Sequence, residues 1–204
     1  MKIDMKKVSY ILGRNVGGDF SRRNIDIDAD IFAQSFKEAF AGKPCHMPAG
    51  EMQQIMQAFQ GALQEQEQAR KAEESKGRIE AGRLFLEKNR TREGVVETAS
   101  GLQYRIVEEG SGPKPTATDT VKAHYEGKTL DGKVFDSSIQ RGTPASFPVN
   151  GVIPGWQEAL PLMSVGARYE LFIPSELAYG AAGAGQAIGP HETLIFKVEL
   201  VAIQ

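Results

Sequence analysis

The fold is decided by the stretch VKAHYEGKTLDGKVFDSS, residues 121–138. Apolar and polar residues alternate through Val121, Ala123 and Tyr125, the period-two pattern of a β-strand with one buried face. Residues 130–133, Leu-Asp-Gly-Lys, then carry an Asp-Gly pair, which is typical of a tight hairpin turn. The stretch therefore predicts two antiparallel strands joined by a short turn.

The second half of the chain repeats this alternation. Apolar residues alternate with polar ones over residues 102–106 and again over residues 169–173. The C-terminal stretch TLIFKVELVAI, residues 193–203, predicts a long strand with a buried face of Leu194, Phe196, Val198 and Leu200. With one short helix expected at residues 156–160, these segments predict an antiparallel β-sheet of about five or six strands wrapped on a short helix, an α+β domain.

The composition of the chain changes near residue 95. Only Pro44 and Pro48 of the ten prolines precede it, and only Met163 of the six methionines follows it. The 204 residues are also more than one typical domain requires. We therefore expect an all-α N-terminal part before the sheet domain.

Helical spacing of apolar residues predicts two short helices at the front of the chain. The stripe of the first helix comprises Met5, Val8, Leu12 and Val16. It is expected to end at the Gly-Gly pair of residues 17–18. For the second helix, Asp28 is the candidate N-cap and residues 42–44, Gly-Lys-Pro, are the stop signal. Its apolar face comprises Ile31, Phe32, Phe36, Ala39 and Phe40.

A third helix is expected after Pro48. Its sequence contains no breaker stronger than Gly77 and Gly82, and a continuous helix to Arg90 would be about 64 Å long. Charges of both signs alternate over residues 65–80, which is typical of a solvent-exposed spacer held by ion pairs one turn apart. Two shorter helices separated at residues 75–77 are the alternative.

Composition excludes several classes of protein. Hydrophobic residues make up 41% and charged residues 25% of the chain, so neither a disordered protein nor a membrane protein is indicated. A net charge of -2 without a basic block argues against nucleic acid as a partner. A single cysteine, Cys45, and three scattered histidines offer neither a disulfide nor metal-ligand spacing, so we expect no metal and no cofactor.

The location in the cell is predicted from apolar runs. The first twenty residues contain no run of the length that an export signal needs, and no later stretch is long enough to span a bilayer. The sequence as written therefore predicts a cytoplasmic protein. The alternative is a periplasmic or outer-membrane-associated protein whose upstream signal was removed.

The sequence offers no nucleophile of a hydrolase. Ser137 and Ser138 have no histidine nearby in sequence, and the glycines of residues 180–189 fit no phosphate-loop spacing. A set of aromatic and branched apolar residues beside turns stands out instead, although each alone is more typical of a core than of a site. The set comprises Tyr125, Phe135, Phe147, Val152, Ile153, Trp156, Tyr179 and Ile188.

The order of these residues resembles a known family. Residues 121–138, SFPVNGVIPGWQEAL (146–160) and IPSELAYGAAGAGQAIGPHETLIFKVEL (173–200) resemble the FKBP-type peptidyl-prolyl cis-trans isomerases, the domain that binds the macrolides FK506 and rapamycin. The resemblance runs from about residue 101 to residue 204. The helices of the front half resemble the dimerisation domain of the macrophage infectivity potentiator (Mip) group of bacterial FKBP-type isomerases.

The resemblance implies three parts of the chain. Residues 1–47 would form an N-terminal helical dimerisation domain, together with the start of the next helix to about residue 63. Residues 48–94 would form a long connecting helix, and residues 95–204 the isomerase domain. A homodimer through the N-terminal helices is also expected because about 60 residues cannot bury so many large apolar side chains alone.

The activity implied is rotamase activity. Such an enzyme accelerates proline-limited folding by stabilising the twisted X-Pro amide without a covalent step, and an associated chaperone activity is expected. The implied partners are proline-containing unfolded or partly folded polypeptides, with FK506 and rapamycin as inhibitors. The alternative is a chaperone or interaction module whose pocket only docks proline.

Position by position, the resemblance implies two sets of site residues. The catalytic set is Tyr125, Phe135, Asp136 and Tyr179. The substrate-binding set is Phe147, Val152, Ile153, Trp156, Ile188 and Phe196. Asp136 is implied to be a buried carboxylate that accepts a hydrogen bond from the Tyr125 hydroxyl. Ala184 and Ala187 stand where the family carries larger residues, which predicts a shallower rim of the pocket.

Overall fold

A computed structural model describes residues 3–204, so the first two residues of the predicted N-terminal domain lie outside it. The chain divides into two compact units, the first ending at Ala62 and the second spanning Leu63–Gln204. No helix within residues 3–204 has the length and apolar character needed to cross a membrane.

The first unit is helical. Helix α1 spans Met5–Arg22, and α2 spans Ala29–Phe40, where the Asp28 side chain accepts hydrogen bonds from two backbone N–H groups as the predicted N-cap. The predicted end of α1 is wrong, because the helix continues through residues 17–18. A helical glycine costs only about 1 kcal/mol and does not by itself end a helix.

Helix α3 spans Ala49–Asn89 without the alternative interruption at residues 75–77. Its 41 residues correspond to about 62 Å. The alternating charges form the expected pairs one turn apart: Arg70 contacts Glu67 at 2.9 Å, and Arg83 contacts Glu80 at 2.8 Å.

The second unit contains a sheet of seven antiparallel strands in the order β1-β2-β6-β7-β3-β4, with β5 also paired to β3. The strands are β1 Val95–Glu97, β2 Gln103–Glu108, β3 Thr120–Thr129, β4 Val134–Ser137, β5 Ala145–Pro148, β6 Arg168–Ile173 and β7 Leu194–Ile203. The predicted number of strands was too low because β1 and β5 have only three and four residues. Such short segments carry too little alternation to be recognised.

Strand β3 lies between β7 and β4 and carries the centre of the core. Its burial alternates along all ten residues, and Tyr125 pairs with Val198 of β7. Helix α4 spans Ser138–Arg141, and α5 spans Pro154–Ala159 with Trp156 in the main hydrophobic cluster. The predicted hairpin, the four buried positions of β7 and the short helix are all present.

The last turns of α3 belong to the same compact unit as the sheet. The Phe85 ring lies 5.9 Å from the Phe172 ring of β6. Asn89 donates a 2.9 Å hydrogen bond to Gln103 of β2, and Gln103 donates one of 2.9 Å to the Leu86 carbonyl. Both amide side chains are buried, so these hydrogen bonds are needed to offset their desolvation.

Candidate active site

A cavity of about 310 Å³ lies beside Trp156 in the second unit. It brings together nine of the ten residues proposed from the sequence, with Gly151 in addition. The nine are Tyr125, Phe135, Asp136, Phe147, Val152, Ile153, Trp156, Tyr179 and Phe196. The tenth, Ile188, is buried but lines a different cavity.

Aromatic rings fix the floor of the cavity. Trp156 is only 4% exposed and meets Tyr125, Phe147 and Phe196 edge-to-face at centroid distances of 5.5, 5.7 and 5.4 Å. Edge-to-face pairs are favourable beyond the area that they bury, because the positive edge of one ring meets the negative face of another. The floor is therefore held on three sides by apolar walls.

A glycine in β3 permits two of these walls to approach. A Cβ atom on Gly127 would lie 2.6 Å from Cζ of Phe135 and 2.6 Å from Cε1 of Phe196, closer than real Cβ contacts allow. The two rings are themselves edge-to-face at 5.5 Å. Glycine is required here for close packing, since Gly127 is not among the glycines with positive φ.

Tyr125 and Asp136 form the polar side of the cavity, and Arg141 holds both of them from outside the lining. The Tyr125 hydroxyl donates a hydrogen bond to Asp136, as expected from the resemblance, and the Arg141 guanidinium donates to the same carboxylate. Arg141 also donates a 2.9 Å hydrogen bond to the Tyr125 hydroxyl and lies 5.7 Å from the centre of its ring. An aromatic hydroxyl, a carboxylate and a guanidinium thus hold one another in place.

Local sequence explains this arrangement. Ser137 caps helix α4, its hydroxyl accepting the Gln140 N–H at 3.1 Å, and Gly142 ends the helix with a left-handed φ of 73°. One helical turn therefore brings Arg141 back towards Asp136. Ser138 accepts the Tyr125 backbone N–H at 2.7 Å, which joins this turn to β3.

The hydrogen bonds fix the charge of each group. Burial raises the pKa of Tyr125, and the Asp136 carboxylate raises it further, so the phenol stays neutral near pH 7. Burial also raises the pKa of Asp136, but hydrogen bonds from Tyr125 and Arg141 outweigh that effect and hold this pKa below its usual value. The carboxylate is therefore an anion at neutral pH.

One expectation about Asp136 is wrong. Its side chain is 42% exposed rather than buried, because β4 is the edge strand of the sheet and Arg141 covers only part of the carboxylate. Tyr179 is likewise 39% exposed at the rim of the cavity. Neither Ala184 nor Ala187 lines this cavity within the described residues, so the predicted effect of these two small residues on the rim stays a prediction.

Arg141 is a site residue that sequence reasoning missed. The sequence signal that could have identified it is the segment Ser-Ser-Ile-Gln-Arg-Gly, residues 137–142. This segment predicts an N-cap, one helical turn and a glycine that ends the helix. Only the return of that turn towards β3 places the arginine beside Asp136.

A pocket of this kind, with rigid aromatic walls and one charged edge, suits a protein that grips a peptide segment without bonding to it covalently. The family model for FKBP-type peptidyl-prolyl cis-trans isomerase matches residues 112–201. A second model, the domain amino terminal to FKBP-type peptidyl-prolyl isomerase, matches residues 5–106. The chain belongs to the FKBP-type peptidyl-prolyl cis-trans isomerases.

Relatives support this assignment over the full chain. The chain is 41% identical over 204 residues to "Outer membrane protein MIP" of Legionella longbeachae, covering 98% of this chain and 86% of that protein. It is 42% identical over 198 residues to an FKBP-type 22 kDa peptidyl-prolyl cis-trans isomerase of Escherichia coli, covering 97% and 94%. The crystal structure of FkpA from Escherichia coli is similar with a TM-score of 0.82 and 36% identity, covering 100% and 98%.

These similarities confirm the predicted family, fold class and activity. The protein is a peptidyl-prolyl cis-trans isomerase, with an N-terminal helical region and a C-terminal antiparallel sheet. Its family indicates proline-containing polypeptides as substrates.

Proposed function

We propose that the X-Pro amide is bound and twisted in the cavity beside Trp156. The catalytic roles belong to Tyr125, Phe135, Asp136 and Tyr179. Substrate binding belongs to Phe147, Val152, Ile153, Trp156 and Phe196. The observation that carries the proposal is the convergence of these side chains on one apolar cavity with one charged edge.

The energetics favour such a cavity. Rotation about the amide bond faces a barrier of about 20 kcal/mol because resonance must be broken, and the uncatalysed reaction takes about 10–100 s. Water hydrogen bonds favour the planar, polar amide, so an apolar cavity that removes them lowers the barrier to rotation. Rings that grip proline around Trp156 leave the preceding carbonyl free to turn.

Polar groups at the edge of the cavity stabilise the twisted amide. The Ile153 N–H forms no hydrogen bond with any other group in residues 3–204, so it can donate to a substrate carbonyl. The hydroxyl of the partly exposed Tyr179 is a second donor at the rim. The Asp136 anion lies where it can favour the polarised amide, which is stabilisation of the transition state by fixed charges.

A protease-coupled tetrapeptide assay tests the site. The full chain should accelerate cis-to-trans conversion, and FK506 or rapamycin should inhibit it because both macrolides are proposed to occupy the same cavity. Trp156 is the single tryptophan, so its fluorescence should change on binding with the same midpoint as inhibition. Inhibition without a fluorescence change would place the macrolide elsewhere.

A homodimer through the first unit is the second part of the proposal. Helices α1 and α2 bury no side chain within residues 3–204. Phe40 is 87% exposed, and Phe36 stacks on it with a centroid distance of 6.1 Å. Because such large apolar patches mark interaction surfaces, a second copy of this chain is the proposed partner.

The exposed apolar face also supports a chaperone activity beside isomerisation. Methionine and phenylalanine side chains are suited to unfolded segments of varied sequence. The exposed residues include Met47, Met52, Met56 and Phe59. Full-length protein should suppress aggregation of a proline-free client, and a binding module without isomerase activity would do so while leaving the tetrapeptide rate unchanged.

For location, the periplasmic or outer-membrane-associated alternative is proposed in place of the cytoplasmic expectation. The support is the name of the Legionella longbeachae relative, an outer membrane protein. Fractionation of the native cell with an antibody to this chain tests it. Recovery with the cytosolic fraction alone would return the assignment to the cytoplasm.

A further inference from the structure

Helix α3 contacts the loop that follows Tyr179, within the second compact unit. The Nε atom of Arg78 lies 3.0 Å from Oε2 of Glu192. One turn further along, Gly82 is buried, and a Cβ atom there would collide with Oγ1 of Thr193. Residues 78 and 82 are four apart and so share one face of the helix.

Arg78 also lies against the loop backbone. A Cβ atom on Gly189 would lie 2.7 Å from Cζ of Arg78, so a side chain there would displace the guanidinium from Glu192. A cavity of about 610 Å³, lined by both helix and loop, lies beside these contacts. Ile188 anchors the loop in the hydrophobic core, and Arg78 and Gly82 form its contacts with the helix.

The loop is hydrogen-bonded to itself. The backbones of Ala184 and Ile188 exchange two hydrogen bonds of 2.9 and 3.1 Å, and the His191 N–H donates to the Gly180 carbonyl at 2.8 Å. Gly180 directly follows Tyr179 in the chain. A shift at the helix-facing end of the loop is thus passed to the residue at the cavity rim.

We propose that Arg78 is a positioning residue for the isomerase site. Through Glu192 and Gly189 it fixes the loop that holds the Tyr179 side chain at the rim. The inference rests on the proposed role of Tyr179 in catalysis. Arg78 is not among the residues of the described chain that line the Trp156 cavity, so it acts through the loop and not on substrate.

Kinetics on a short X-Pro peptide test the inference in the full-length protein. Arg78→Ala should lower kcat/KM about two- to fivefold, mainly through kcat, because the Tyr179 hydroxyl is proposed to act on the twisted amide. Arg78→Lys should restore part of the rate by keeping the charge without the planar fork. Arg83→Ala is the matched control, since within residues 3–204 Arg83 forms ion pairs only with Glu80 and Glu87 of its own helix.

A double-mutant cycle separates positioning from general loss of stability. In a Tyr179→Phe background, Arg78→Ala should have no further effect on kcat. Hydrogen exchange at the His191 amide should be faster in Arg78→Ala and unchanged in Arg83→Ala. An equal loss of rate in both backgrounds, or unchanged exchange, overturns the inference.

The same assay distinguishes this inference from the proposed roles in the cavity. Full activity of Tyr179→Phe would contradict both the role of Tyr179 and the action of Arg78 through it. The rate of the unmodified chain is measured in the same assay. That rate tests isomerisation, and the Tyr179→Phe and Arg78→Ala rates test positioning.

Discussion

The Tyr125 hydroxyl donates a hydrogen bond to the Asp136 carboxylate, which joins the buried centre of β3 to the edge strand β4. The ring of the same tyrosine lies edge-to-face against Trp156 at 5.5 Å. One side chain therefore belongs both to the apolar floor and to the charged edge of the cavity. For this reason, a substitution of Asp136 should also change the position of the Tyr125 ring against Trp156.

Replacing the Asp136 carboxylate tests the charged edge. Asp136→Leu should lower kcat/KM about tenfold or more, which is roughly 1.4 kcal/mol of transition-state stabilisation. The protease-coupled peptide assay measures it, with circular dichroism to establish folding. Glu126→Gln, which removes a carboxylate from the opposite face of β3, is the control and should keep the full rate. An unchanged rate in folded Asp136→Leu would leave Asp136 with a structural role only.

The pH dependence follows from the two pKa shifts at the site. The pKa of Asp136 lies below its ordinary value and that of Tyr125 above its ordinary value, so neither group changes charge between about pH 6 and about pH 9. We therefore expect kcat/KM to be constant over this range, as measured with a peptide whose chemistry does not titrate there. A bell-shaped profile would show that another group controls the rate.

Acid stability has a definite sign at Asp136. A carboxyl with a lowered pKa in the folded state stabilises the fold above its unfolded pKa, and this stabilisation is lost as the pH falls through the folded value. Wild type should therefore lose more stability than Asp136→Asn between about pH 7 and about pH 3. Urea unfolding at the two pH values measures this difference. Equal losses would mean that the hydrogen bonds from Tyr125 and Arg141 do not favour the anion.

Close packing at Gly127 should control both stability and activity. Gly127→Ala places a methyl group against Phe135 and Phe196, and overpacking of this kind costs about 1–3 kcal/mol. Thermal unfolding should show a lower midpoint, and kcat/KM should fall because two cavity walls move. Gly77→Ala is the control: within residues 3–204, no atom other than those of its chain neighbours and its own helical backbone lies within 4 Å of the new methyl group, so stability should hold or rise slightly.

The oligomeric state should depend on the phenylalanines of α2. Phe36→Ser with Phe40→Ser should give monomers at tens of micromolar in sedimentation, where the unmodified chain is expected to be a dimer, and should leave the tetrapeptide rate unchanged. Ile79→Ser is the control, because Ile79 is an exposed apolar residue of the second unit. A monomeric unmodified chain would contradict the proposal outright.

Local patterns determined most of the secondary structure. The alternation in β3 and β7, the Asp-Gly turn between β3 and β4, and the Asp28 cap depend on neighbouring residues only, and all are present. The end of α1 was misjudged because a glycine pair has two outcomes whose energies differ little, and the sequence around it does not decide between them.

The order of the aromatic residues in the sequence also predicted which side chains would lie together. Nine of ten proposed residues line one cavity, Ile188 being the exception. Its loop forms a backbone bridge between Ala184 and Ile188, and the Ile188 side chain is buried in the core, so its role in substrate binding stays a prediction.

Tertiary structure alone decided the remaining features. The exposure of Asp136 depends on the position of β4 at the sheet edge. The contact of Arg141 with Tyr125 depends on a helical turn that brings the two residues together. The contact of Arg78 with Glu192 joins residues far apart in the chain. Each of these is a relation between distant segments, which periodicity and turn signals along one segment do not contain, because such signals report only the local conformation and the buried face.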